Sequence, residues 1–131
     1  MKTRELSTCF CTEEVESCRE FYCQHLSARV TFDCGWYVNL QIGSDGPTLQ
    51  FMQPQEGMET FNGRGVMLNF RVADVDSEYA RLTAAGLPPA MALADHPWGD
   101  RGFAVLDPLG NTVYIYSNRE PAEEFKQFYK G

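Results

Sequence analysis

The chain has 131 residues, 44% of them hydrophobic and 22% charged, with a net charge of −7 at neutral pH. This composition excludes disorder, and the length favours one domain or two small fused modules. No apolar run approaches the roughly 18 residues of a membrane span, and an acidic chain lacks the basic footprint that phosphate backbones require, so neither a membrane nor nucleic acid is an expected partner.

Residues 1–6 carry no apolar signal-peptide core, which predicts a cytoplasmic location. Residues 6–11 alternate and predict a strand. Thr12-Glu13-Glu14 opens a helix, with acids where the dipole favours them. Val15, Cys18, Tyr22 and Leu26, with Phe21 beside them, form its apolar stripe. Strands follow over residues 28–32, 36–42 and 48–52. In the middle one Trp36, Val38, Leu40 and Ile42 share one face, and Tyr37, Asn39 and Gln41 share the other. The five cysteines, Cys9, Cys11, Cys18, Cys23 and Cys34, read as reduced thiols. Cys9 and Cys11 share a strand face, which suits either a soft-metal site or small buried thiols.

Residues 53–64 lack periodicity and read as a linker. The order then repeats. A strand is predicted over residues 66–72. Asp74 is a good N-cap, Val75, Tyr79 and Leu82 form a stripe, and Gly86 is a good helix stop. Residues 91–93 sit within a short strand. Residues 102–106 and 112–116 form a hairpin around Asp107-Pro108-Leu109-Gly110-Asn111, in which Pro108 presets φ and Gly110 can take φ > 0. In front stands Trp98, on a Pro/Gly-rich lead-in. Glu123 and Glu124 in a first turn, then Phe125, Phe128 and Tyr129, predict a C-terminal amphipathic helix over about 120–130. The element order is βαβββ, linker, βαβββ, helix. Val15-Glu16-Ser17 echoes Val75-Asp76-Ser77, as a duplication would produce.

Paired βαβββ modules, with Phe70-Arg71-Val72-Ala73-Asp74-Val75-Asp76 opening the second, resemble the vicinal-oxygen-chelate superfamily of glyoxalases, extradiol dioxygenases, fosfomycin-resistance enzymes and bleomycin-resistance proteins. The resemblance covers about residues 6–117. The stretch from Pro97-Trp98-Gly99 through Arg101-Gly102-Phe103-Ala104 to Asp107-Pro108-Leu109-Gly110-Asn111 is most similar to the bleomycin-resistance branch. The resemblance implies one α+β domain over residues 1–131, with module one at about 6–53, a linker at 54–64 and module two at 65–117. Each module would curl its strands into a half-barrel around a pocket. A homodimer is implied as well.

Metal enzymes of that superfamily draw one ligand from the start of the first strand and one from the last strand of each module. Counting back from Glu14 and Asp74 places the first-strand positions at Ser7 and Met67, and the last-strand positions are Gln50 and Tyr114. Divalent catalytic sites want imidazole and carboxylate, and only Gln50 is a plausible ligand. His25 and His96 fall at none of the four positions. No metal and no other cofactor is expected.

Strand alternation turns Ser7, Cys9, Cys11, Tyr37, Asn39, Gln41, Thr48, Gln50, Met52, Met67, Asn69, Arg71, Thr112, Tyr114 and Tyr116 towards the pocket. Leu68, Phe70, Val72, Val113 and Ile115 should face helices. Ligand contacts are expected from Trp98, Phe103, Tyr37, Asn39, Gln50, Met52, Met67, Asn69, Arg71, Tyr114 and Tyr116. Such a lining suits a flat organic molecule. For Trp98 the competing reading is packing of the hairpin lead-in; for Phe103 it is burial in the core. Arg71 could hold a ligand carboxylate or phosphate, or pair with a neighbouring acid. The expected function is metal-independent binding that sequesters a planar aromatic or cationic compound. The alternative is a lyase or isomerase with a degenerate or non-metal site. That alternative needs an acid/base pair, for which His96 and Asp100 near the rim are the candidates, since no carboxylate falls among the pocket positions.

Overall fold

The computed structural model describes residues 1–130. The chain divides into two compact units with a boundary after Gly63, inside the predicted linker. In the first unit the elements are β1 (Thr8–Cys11), α1 (Val15–His25), β2 (Arg29–Asp33), β3 (Tyr37–Gln41) and β4 (Thr48–Met52). They form a four-stranded sheet in the order β1-β4-β3-β2, with β1 parallel to β4 and the other pairs antiparallel. In the second unit β5 (Met67–Arg71), α2 (Val75–Ala84), β6 (Met91–His96), β7 (Asp100–Leu106) and β8 (Thr112–Asn118) repeat that plan as β5-β8-β7-β6. The fold is α+β, built of paired βαβββ modules whose two mixed sheets form no closed barrel.

Each sheet is two-faced. In the first unit Val15, Cys18, Phe21 and Tyr22 of α1 are buried, as are Phe10, Val38, Leu40, Leu49 and Phe51 on the strands. Tyr22 and Phe51 meet with ring centroids 5.5 Å apart. In the second unit Val75 and Leu82 of α2 are buried, as are Phe103, Val105, Val113 and Ile115. The register supports the duplication. Cys9 stands opposite Gln50, and Asn69 stands opposite Tyr114, so Gln50 and Tyr114 are equivalent positions. Glu14 and Asp74 are the equivalent N-caps. Asp74 caps as expected, accepting from the Ser77 N–H at 3.2 Å. Glu14 makes no side-chain cap bond; Thr12 Oγ1 accepts from the Glu14 N–H instead, at 3.0 Å.

Several boundaries differ from the sequence expectation. β1 starts at Thr8, and Leu6 is left 82% exposed. β6 extends to His96, β7 begins at Asp100 and β8 continues to Asn118. The C-terminal helix is a single turn, α3 (Glu123–Lys126), rather than residues 120–130. The segment before it is held to the β6–β7 hairpin. Arg119 N–H donates to Gly99 O and Ala122 N–H to Pro97 O, both at 2.8 Å. Helix formation cannot start until those tethers end.

The β6–β7 hairpin turns in three residues. Gly99 sits at φ +118°, and a Cβ there would lie 2.7 Å from the Tyr129 hydroxyl and 3.2 Å from Arg119 O. Both the backbone angle and the close approach require glycine. Across β7 and β8, Gly102 opens space of another kind. A Cβ at Gly102 would fall 2.5 Å from Cζ and from the hydroxyl oxygen of Tyr114. The Tyr114 ring lies over the missing side chain.

Candidate functional site

The face of the second sheet turned away from α2 carries a cleft of about 580 Å³. Strand parity decides which residues reach it. From β5 come Met67 and Asn69, and from β8 come Tyr114, Tyr116 and Asn118. From β7 comes Asp100, two residues before Gly102 and on its face. Met91 of β6, Trp98 and Gly99 of the hairpin loop, and Tyr129 complete the wall.

The aromatic groups are held in fixed arrangements. Tyr114 and Tyr116 stack with centroids 5.7 Å apart and planes 20° from parallel. Trp98 stacks on His96 at 4.5 Å with planes 2° apart. Trp98 is nevertheless 46% exposed. Trp98 both lines the cleft and packs on the hairpin through His96. Its backbone oxygen, not its side chain, takes the hydrogen bond from the Tyr129 hydroxyl.

Beneath the aromatic row lies a buried carboxylate. Asp100 is 7% exposed. The Tyr114 hydroxyl donates to it, 2.9 Å from both oxygens. His96 Nδ1 lies 2.8 Å from Asp100 Oδ1. A carboxylate only accepts, so Nδ1 carries the proton in this contact. The Tyr114 oxygen stands 3.1 Å from the same nitrogen. Burial, then the hydrogen bond to Asp100 and the charges of Asp100 and Tyr116, push the Tyr114 phenol well above the usual tyrosine range. Tyr114 is therefore a neutral donor locked in place, not a phenolate.

The other expected site residues divide. Arg71 does not line this cleft; it opens onto an adjoining one, described below. Phe103 is corrected outright. It is 1% exposed, pairs with Ile115 and meets Tyr79 of α2 edge-on at 5.1 Å. Its parity puts it on the helix face, so it is core. In the first unit Tyr37, Asn39, Gln50 and Met52 do share the sheet face away from α1. There Gln50 Nε2 donates to Thr48 Oγ1 at 2.8 Å and to Asn39 Oδ1, and Asn39 Nδ2 donates to Thr31 Oγ1. Much of their hydrogen-bonding capacity is spent within the sheet.

Asp100, expected only near the rim as half of an acid/base pair, lines the cleft itself. The expectation that no carboxylate lines the pocket is corrected by it, and His96 is the last residue of β6. Extending β7 back by two residues would have revealed the parity of Asp100 with Gly102. Asn118 was hidden the same way, at the unpredicted end of β8.

Residues 6–115 match the model of the glyoxalase/bleomycin resistance protein/dioxygenase superfamily. The chain belongs to that superfamily. Solved structures of the same fold include TnmS3, an antibiotic binding protein from Streptomyces sp. CB03234. It is 20% identical with a TM-score of 0.73, covering 89% of this chain and 97% of that one. A lactoylglutathione lyase from Agrobacterium tumefaciens is 19% identical with a TM-score of 0.69, covering 88% and 94%. At these identities the likeness is one of fold. By sequence, an uncharacterized protein of Mycobacterium tuberculosis is 38% identical over 52 residues, 40% of this chain and 31% of that protein. The match spans about a third of the curated relatives' length.

The superfamily's metal enzymes raise the question of a metal here, and the donors do not fit one. Met67 offers a thioether and Ser7 a hydroxyl, Tyr114 gives its proton to Asp100, and the Gln50 amide oxygen is a single neutral donor. No group of three His, Cys, Asp or Glu side chains converges among the described residues. Burial, then the neighbouring Cys11, raises the Cys9 thiol, which opposes the thiolate a soft metal needs.

Proposed function

We propose that the second-unit cleft binds a planar aromatic small molecule and sequesters it without a metal. The observation that carries this reading is the row formed by Trp98, Tyr114 and Tyr116, fixed from beneath by buried Asp100. A preorganised aromatic wall loses little entropy on binding, and offset stacking adds to the apolar burial. Met67 and Met91 give the wall adaptable thioether edges. Asn69 and Asn118 supply polar contacts that orient a ligand. The antibiotic-binding TnmS3 has the same fold, which is consistent with this reading.

A thermal-shift screen of planar aromatic antibiotics and metabolites tests it, because a ligand of the native state raises the melting temperature. A hit should bind Trp98→Ala about tenfold more weakly, a change of about 1.4 kcal/mol. The unliganded melting temperature should barely move, since half of that side chain faces solvent. A hit that binds both proteins equally sinks the reading.

One arrangement favours a second reading. His96 donates Nδ1–H to Asp100, and no protein group among the described residues bonds its Nε2. That is the geometry of a general base oriented by a carboxylate. If a hit is converted during incubation, and conversion rather than binding is lost in His96→Gln, the metal-independent enzyme reading replaces sequestration.

A further inference from the structure

Beside the aromatic cleft lies a second, polar one of about 500 Å³, lined by Arg71, Val72, Ala73, Ser117, Asn118 and Arg119. Asn118 lines both. The three nearby arginines are not alike. Arg101 pairs with Asp76 at 3.0 Å, and Arg119 approaches the same carboxylate at 4.0 Å. Arg71 has no ion pair among the described residues and is exposed. Its place in the sheet is defined. Arg71 of β5 stands directly opposite Tyr116 of β8 in a parallel pair. Their side chains therefore leave the same face about 5 Å apart. Ser117 adds nothing, because its hydroxyl already donates to Val72 O and accepts from the Val75 N–H. The Asn118 side chain is exposed beside them.

We infer that Arg71 is the anion-binding end of the aromatic cleft, so that the preferred ligand is a planar aromatic carboxylate. This rests on the function proposed above and narrows it. A ring stacked along Tyr114 and Tyr116 would direct a ring substituent towards Arg71. A guanidinium meets a carboxylate through two parallel N–H···O bonds, a match that a cationic or neutral ring substituent cannot make. The net charge of −7 does not oppose this at close range, because charges beyond about 8 Å are largely screened at physiological ionic strength.

The test compares 2-naphthoate with its neutral counterpart 2-naphthamide by calorimetric titration of the full chain. Naphthoate should bind at least tenfold more tightly, and the gap should narrow as salt is raised. Arg71→Gln should abolish the gap and leave naphthamide within about twofold of its original affinity. Arg71→Lys should restore part of it. Equal affinities in the unaltered protein overturn the inference and leave the aromatic site standing. A preference that survives in Arg71→Gln also overturns it. If neither compound binds, both the inference and the function it rests on fail.

Discussion

Gly102→Ala should destabilise the protein by about 2–3 kcal/mol, the cost of forcing a methyl group into filled space. The new Cβ would stand 2.5 Å from the Tyr114 ring and 3.0 Å from the backbone oxygen of Ile115. The ring cannot retreat cheaply, because its hydroxyl donates to buried Asp100 and it stacks on Tyr116. The strand cannot retreat either, because Gly102 lies within β7 with a strand on each side. Urea unfolding measures the loss. Removing the obstruction with Tyr114→Ala should make the double variant less destabilised than the sum of the two singles, which is the signature of direct contact. Strict additivity would show that Tyr114 does not fill the space over Gly102. The same variant should weaken ligand binding, since displacing Tyr114 breaks the aromatic row.

The second large effect lies at the turn closing the same hairpin. Asp107→Ala should cost about 3 kcal/mol, because it leaves buried donors without an acceptor. Asp107 Oδ1 accepts from the N–H groups of Leu109 and Asn111, each at 2.9 Å, and Oδ2 accepts from Asn111 Nδ2 at 2.9 Å. Asn111 is 1% exposed, so water cannot replace those bonds. Asp107→Asn should cost roughly half as much, because one oxygen still serves the two backbone donors while its amide faces Asn111 Nδ2. If alanine and asparagine prove equally mild, the turn is held by its backbone alone. Neither change touches a cleft residue, so ligand affinity per folded molecule should stay the same. That separates the structural part of the Asp-Pro-Leu-Gly-Asn stretch from the binding part around Trp98.

Sequence reasoning reached the repeated βαβββ order because apolar residues alternate cleanly, as in Tyr37, Val38, Asn39 and Leu40. Asp74 and Gly86 marked one helix through local chemistry that tertiary contacts did not override. Equating Gln50 with Tyr114 as last-strand positions agrees with the register, which places both opposite the first strand of their own sheets. The failure around Trp98 has a local physical source. Pro97 and Gly99 made residues 97–101 look irregular, whereas a three-residue turn lets β6 and β7 run right up to it. The parity of Asp100 was hidden by that short turn, and with it the carboxylate beneath the cleft. Phe103 could have been placed correctly. Its partner Ile115 had been read as facing the helix, and paired residues share a face. The short α3 was not legible, because its limit is set by long-range bonds from Arg119 and Ala122 to the hairpin rather than by propensity.

The central claim is that the second-unit cleft is a small-molecule site built on Trp98, Tyr114 and Tyr116. Backbone amide NMR of the labelled protein, titrated with the strongest thermal-shift hit, tests it most directly. Saturable shifts should concentrate at Met67, Asn69, residues 98–100, Tyr114, Tyr116 and Asn118. Shifts that saturate elsewhere while those amides stay still would contradict it.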